Sequence, residues 1–250
     1  MEFSTLTSNL AAYSQAACSL IASLPIPGKL LQAQSITSLV GVWQQFVEGM
    51  QQTSLLEYIA VLAGIASVWF SRKENIWVYP VGLISTIIYV YLSFQYHLIG
   101  EASVNIYYSV LSIYGWVLWA RKNKSQEHAL QITFSNKKQL LQQLTFFIVL
   151  YILIYYSLIY LKESFYPGVI PWGDAFASAT AYTGMWLMAR KKVESWYWWI
   201  ATNIASIPLY FVKGLVFTSV FYFVLLVMAF AGLAEWQRRG NKIRAGRVTV

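Results

Sequence analysis

The sequence predicts an all-α integral membrane protein: seven core transmembrane helices in a 3+1+3 arrangement, preceded by an additional N-terminal helical segment. Three observations predict it. Of 250 residues, 58% are hydrophobic and 11% charged, against roughly 25% charged in ordinary soluble domains. The charges fall in clumps and leave uncharged stretches such as LLQQLTFFIVLYILIYYSLIYL (140–161), long enough for a helix to cross a bilayer, which takes about 20 residues. Finally, residues 55–120 and 172–237 are similar to each other, and self-similarity at a fixed spacing marks a repeated architecture.

Residues 1–52 form the N-terminal extension. SNLAAYSQAACSLIASL (8–24) reads as a helix that either spans the membrane or lies in its interface. LPIPG (24–28) breaks it, because proline and glycine punctuate helices. SITSLVGVWQQFVEGM (35–50) reads as an amphipathic connecting helix. This stretch lacks the basic n-region of a cleavable signal peptide.

Seven spans follow, at 55–71, 76–96, 100–120, 140–161, 172–189, 196–213 and 215–237. They group as a first three-helix repeat (55–120), a basic loop with a linker helix (121–170), a second repeat (171–237) and a basic tail (238–250). If the spans alternate, one side of the membrane receives fifteen basic residues, from Arg72 and Lys73 through Arg121–Lys138 and Arg190–Lys192 to the tail. The other side receives Lys29, Lys162 and Lys213. Basic residues stay cytoplasmic, so the C-terminus is expected inside. The same distribution accounts for the net charge of +8 without a nucleic-acid partner.

At an offset of 117, Glu57 faces Asp174, Trp69 faces Trp186, Gly115 faces Gly232 and Trp119 faces Trp236. Between them, at an offset of 121, Trp77 faces Trp198, Ser85 faces Ser206 and Tyr89 faces Tyr210, as if four residues were inserted in the first loop and removed in the second. One span between the halves restores their orientation, so the two repeats are expected to run parallel. Substrate then binds near the bilayer midplane between them. Gly82, Gly115 and Gly232 permit close helix packing, and Trp119 and Trp236, beside the basic clusters, read as interfacial belt residues.

The sixth span opens WYWWIATNIASIPLYFVKG (196–214). Asn203, Ser206 and Tyr210 are three and four residues apart and share one helix face, behind a group of indoles that includes Trp198. In the third span Asn105, Tyr108 (or Ser109), Ser112 and Trp116 repeat that spacing. Aromatic faces stack on flat rings, and amides and hydroxyls bond sugar hydroxyls. Asn203, Ser206, Tyr210, Trp198, Asn105, Tyr108, Ser112 and Trp116, together with Glu101 and Asp174 near the outer ends of their spans, are the candidate substrate-binding residues. Glu57 is placed like Asp174. Other roles fit the same residues: an aromatic belt for Trp196, Trp198 and Trp199, helix packing for Asn203 and Ser206, and a solvated or salt-bridged state for the carboxylates.

Enzymatic chemistry finds no constellation. Cys18 is the single cysteine and His97 and His128 are not at ligand spacing, so neither a catalytic group nor a metal or cofactor site is expected. The chain lacks a lysine in the middle of a span for a Schiff base and a nucleotide-binding GxxxxGK[ST] loop. No lysine or arginine lies inside a span, which disfavours a phosphorylated substrate, because a buried dianion needs paired charge.

ENIWVYPVGLISTIIYV (74–90), GEASVNIYYSVLSIYGWVLW (100–119) and WYWWIATNIASIPLYFVKGLVFTSVFYFV (196–224) resemble the PnuC family of nicotinamide riboside transporters, whose fold is similar to the SWEET sugar transporters. The resemblance covers roughly 55–237. It implies uptake of nicotinamide riboside for NAD biosynthesis by facilitated diffusion across the inner membrane. It also implies trapping by a cytoplasmic nicotinamide riboside kinase, and a homotrimer surrounded by lipid. A cationic pyridinium ring adds a cation–π attraction to any aromatic site. Thiamine and riboflavin carriers resemble the same family, so a same-fold carrier of another vitamin or a sugar, or a proton-coupled variant, is the alternative.

Overall fold

The computed structural model describes residues 39–95, 99–121, 130–160 and 170–246. Its named elements are all helices: α1 Leu39–Gln52, α2 Leu55–Arg72, α3 Val78–Gln95, α4 Ile99–Ala120, α5 Lys137–Tyr160, α6 Pro171–Ala189, α7 Ser195–Val212 and α8 Val216–Arg244. The segment at 8–24 lies outside the described residues. The chain divides into a unit of 1–52 with Gly214–Phe217 and a unit of Thr53–Lys213 with Thr218–Val250. Within the first, Phe46 packs on Phe217 at 5.8 Å between ring centroids.

Local chemistry sets the helix starts. Ser54 caps α2, accepting from the Glu57 N–H at 3.2 Å, the usual use of a serine there. α6 opens on Pro171, where a missing N–H costs nothing, and Asp174 Oδ2 accepts from the Ile170 N–H at 2.7 Å. Between α7 and α8 the chain turns through Gly214 at φ 76°, a conformation that glycine adopts freely.

Four described helices, α2, α3, α5 and α8, are long and apolar enough to cross a membrane. α4, α6 and α7 carry more small and polar residues. In α6, Gly173, Ala175, Ala179, Thr180, Thr183 and Gly184 are among the buried positions. A helix covered by other helices is selected for close packing, and small residues provide it. α2 packs on α3, α3 on α4, α5 on α6, α6 on α7, and α4 on α6. α5 instead exposes Leu141, Val149, Leu153 and Tyr156 along its length, the expected surface toward lipid.

One spacing runs through this unit. α3 spans 78–95 and α7 spans 195–212, each end 117 residues apart, and α4 and α8 begin 117 residues apart at Ile99 and Val216. The structure therefore removes the expected shift to 121 in the middle helix. Tyr79 and Trp196 occupy equivalent seats. Tyr79 meets Trp119 edge-on at 5.1 Å and 86°, and Trp196 meets Trp236 edge-on at 5.6 Å and 83°. Matching tryptophan to tryptophan misplaced the helix because this seat accepts either large ring.

Trp119 and Trp236 also depart from expectation. At 2% and 0% exposure they lie in the core with Tyr79, Ile132, Met188, Val193 and Trp196, not in a belt. Their indole N–H groups donate to Ala189 O and Ser71 O, so burial leaves neither unpaired. Trp69 and Trp186 do behave as belt residues. Lys73 stands 4.9 Å above the first and Arg190 4.8 Å above the second, a cation–π arrangement suited to an interface.

The basic clusters meet at one end of the unit. Arg239 donates to Lys73 O and Glu74, while Thr133 bridges to Lys192 and its backbone bonds Lys191 and Val193. Leu130, Gln131, Thr133, Gln139, Arg190 and Lys192 line a cleft of about 420 Å³ there. Burial lowers the Lys192 ammonium below its ordinary pKa and Arg190 pushes the same way, against an opposing pull from Glu194.

Candidate binding site

The stripe expected on α7 is present, with a different indole at its head. Asn203 and Ser206 are 3% and 2% exposed, and the residue one turn before Asn203 on that face is Trp199. Gly184 on α6 positions Trp199, since an added Cβ there would stand 3.3 Å from its ring. Opposite, α4 supplies Tyr108, whose ring centroid is 6.0 Å from that of Trp199, and Tyr107, which meets Tyr182 of α6 edge-on at 4.4 Å. The Tyr107 hydroxyl donates to Tyr182 O at 3.1 Å. Tyr222 of α8 lies within electrostatic reach of Tyr108. The result is an aromatic wall contributed by both halves of the unit, with two buried polar groups beside it.

Asn203 stands apart from its surroundings. Its neighbour Thr202 donates to Trp198 O and pairs with Thr180 at 2.9 Å. The position 117 residues earlier, Thr86, accepts from Ser109 Oγ at 2.9 Å. Among the described residues, the Asn203 amide has no hydrogen-bond partner. A buried amide normally has one, so this group is available to a ligand as both donor and acceptor.

The other expected residues fall in several places. Trp198 turns away: its Nε1–H points to Gln143 Oε1 at 3.4 Å and its ring packs on Phe147 at 5.0 Å. It belongs to a latch in which Ser135 donates N–H and Oγ–H to Glu194 and Gln143 donates to Ser135 Oγ. That latch holds α5 against the start of α7. Tyr210 lies further along the α7 stripe, stacked on Tyr222 at 5.1 Å, with Lys213 5.5 Å from its ring. Asp174 is occupied at both oxygens, by Ile170 N–H and by Lys213 Nζ at 2.6 Å. On α4, Ser112 is buried, Asn105 is half-buried with its carbonyl accepting from Ser109, and Trp116 is 40% exposed. Glu101 lies in the first turn of α4, with its side chain outside the described residues.

Tyr182, Tyr107 and Tyr222 join this region without having been singled out, and Trp199, named in the sequence only as a belt candidate, joins it too. Trp199 was legible, because it precedes Asn203 by four residues on the same face. Tyr182 and Tyr222 were not, since only the packing of α6 and α8 brings them near α4. Among the described residues, the aromatic contacts of this wall and stripe include no lysine or arginine except Lys213, which Asp174 neutralises at the end of the stripe. The arrangement suits a flat heterocycle carrying hydroxyl groups.

Comparison with known proteins gives a consistent set. Residues 54–238 match the family model described as nicotinamide mononucleotide transporter. The chain is 24% identical over 218 residues to the nicotinamide riboside transporter PnuC of Escherichia coli, covering 78% of this chain and 91% of that protein. It is 21% identical over 192 residues to the riboflavin/roseoflavin transporter RibM of Streptomyces davaonensis, covering 74% and 86%. Among solved structures it matches the crystal structure of the vitamin B3 transporter PnuC with a TM-score of 0.61 and 22% identity, over 80% of this chain and 88% of that one.

Proposed function

The chain belongs to the nicotinamide mononucleotide transporter family and is a multi-pass membrane protein, and on that premise we propose that it carries nicotinamide riboside into the cell by facilitated diffusion. The observation that carries this reading is the unpartnered Asn203 amide beside the Tyr108–Trp199 pair. The rings take the pyridinium, whose charge adds a cation–π attraction of ~0.5–2 kcal/mol. Asn203 and Ser206 take the ribose hydroxyls and the carboxamide. The absence of an unpaired cation among the described residues of this region favours the riboside over its phosphate.

The two halves act as parallel three-helix repeats joined by α5, rocking about the site between them. The constant 117-residue spacing supports this, as does the latch that ties α5 to the second half. The basic end faces the cytoplasm of a cell inner membrane, where a nicotinamide riboside kinase retains the product by phosphorylation. The exposed apolar face of α5 is available for lipid and for the other copies of a homotrimer. The chain has no enzymatic role in this scheme.

The test is the uptake plateau. Proteoliposomes without ATP or ion gradients are expected to take up nicotinamide riboside until inside and outside concentrations match. Enclosing the kinase with ATP raises total uptake with little change in initial rate. Accumulation above the outside concentration that depends on a proton or sodium gradient refutes facilitated diffusion and brings Glu101 and Asp174 forward as coupling residues. The likeness to RibM favours riboflavin as the second reading, since it too joins a flat ring to hydroxyls. Binding titrations against nicotinamide riboside, riboflavin, thiamine and glucose separate the candidates.

A further inference from the structure

When a residue touches its own repeat mate, the contact straddles the axis relating the two. Three such contacts lie together at the basic end. Ser71 Oγ–H donates to Met188 Sδ at 3.0 Å, and Glu74 pairs with Lys191 at 2.7 Å, each across 117 residues. Trp119 packs on Trp236 at 6.1 Å. Reciprocal bonds flank them: Trp119 Nε1–H to Ala189 O at 3.2 Å, and Trp236 Nε1–H to Ser71 O at 3.0 Å. Each third helix thus hangs on the end of the first helix of the other half. Glu74 and Lys191 both have positive φ, 58° and 51°. Arg239 adds a second cation to Glu74, and Lys191 lies 4.7 Å above the Trp119 ring.

We propose that these residues form the gate that closes the substrate path at the basic end, and that Tyr79 and Trp196 keep its closed state metastable. The proposal rests on the two-repeat transporter reading. Tyr79 and Trp196 wedge the two indoles together, Tyr79 lying over Gly115 and Trp196 over Gly232 so closely that an added Cβ would stand 2.5 and 2.4 Å from the rings. Both wedges carry a buried donor, the Tyr79 hydroxyl and Trp196 Nε1, with no partner among the described residues. A buried unpaired donor is costly, and hydration on opening relieves it. Packing and the Glu74 ion pairs therefore hold the gate shut while the two donors oppose them, the balance that an element with two populated states needs.

The experiment reads opening directly. In full-length protein carrying Cys18→Ser and Ser71→Cys, reconstituted in nanodiscs, the rate of labelling by a membrane-impermeant maleimide reports exposure of the buried position 71. Tyr79→Phe removes one unpaired donor and is expected to slow labelling about fivefold. Glu74→Gln removes the charge that pairs with Lys191 and Arg239 and is expected to speed it about fivefold. Tyr79→Phe labelling at the parental rate or faster, or Glu74→Gln labelling no faster, overturns the gate. Labelling needs no substrate, so it stands apart from the transport reading: failure of the parent to bind nicotinamide riboside defeats that reading and leaves this test intact. With both readings sound, Tyr79→Phe binds nicotinamide riboside within about twofold of the parent, while its uptake slows in step with its labelling.

Discussion

Gly232→Ala is the most exacting single change to make in this protein, because two physical effects predict opposite signs. Alanine is favoured over glycine inside a helix by about 0.8–1.0 kcal/mol, so α8 by itself should gain. The added methyl would stand 2.4–2.6 Å from three ring atoms of Trp196. That ring is 1% exposed and packed edge-on against Trp236. Overpacking of this kind costs about 1–3 kcal/mol, and displacing the ring forfeits an edge-to-face contact of about 0.5–1.5 kcal/mol. The opposing terms leave a net destabilisation of roughly 0.5–3.5 kcal/mol. Thermal unfolding of the purified protein, followed by tryptophan fluorescence, measures it as a lowered apparent midpoint. Gly82→Ala is the control, since its Cβ would meet Ser67 at an ordinary 3.5 Å, and its midpoint is expected to hold or rise. Gly232→Ala melting at or above the parent, with Gly82→Ala unchanged, would refute the wedge geometry.

Asn203→Leu is expected to weaken nicotinamide riboside binding by about 0.5–1.5 kcal/mol, more if a substrate hydroxyl is left buried and unpaired; calorimetric titration gives the difference. Trp199→Ala is expected to weaken binding by about 0.5–1.5 kcal/mol beyond lost burial, whereas Trp198→Ala, which faces Phe147 and Gln143, should affect stability more than affinity; the reverse order would move the site to the other face of α7. Nicotinamide riboside should bind far more tightly than its 5′-phosphate, and equal affinities in competition would mean that a cation reaches the pocket. A tag at Val250 should be protected from protease in intact spheroplasts, and its cleavage from outside would invert the topology.

The helices were legible because their determinants are local. Runs such as 140–161 and charge clumps at the ends place α2 to α7 within a few residues, whereas α8 runs past the expected end at 237 and takes up part of the basic tail, to Arg244. The offset of 117 was legible at Trp69, Gly115 and Trp119. It was lost in α3, where Tyr79 and Trp196 are equivalent in position but different in identity, and where Trp77 and Trp198 offered a false match. The α7 stripe was legible for Asn203 and Ser206, since helical spacing defines a face from sequence alone.

Which neighbour each face meets was beyond that reach. Trp198 and Trp199 are adjacent and chemically identical, yet one joins the α5 latch and the other the aromatic wall, because a single residue step turns about 100° around a helix. Trp119 and Trp236 sit beside basic residues in the sequence and so read as belt residues, but the ends of α2 and α6 offer them carbonyls inside the protein. Asp174 reads as an outer carboxylate that meets substrate, water or a salt-bridge partner, and the fold decides among these by bringing Lys213, 39 residues later, within 2.6 Å. By itself the sequence determined the helices and the chemistry of the stripe, which depend on residues within a few turns of one another. The tertiary structure alone decided which indoles are wall, latch or gate, because that depends on contacts between residues distant in the chain, from 55 positions for Trp198 and Gln143 to 165 for Trp236 and Ser71.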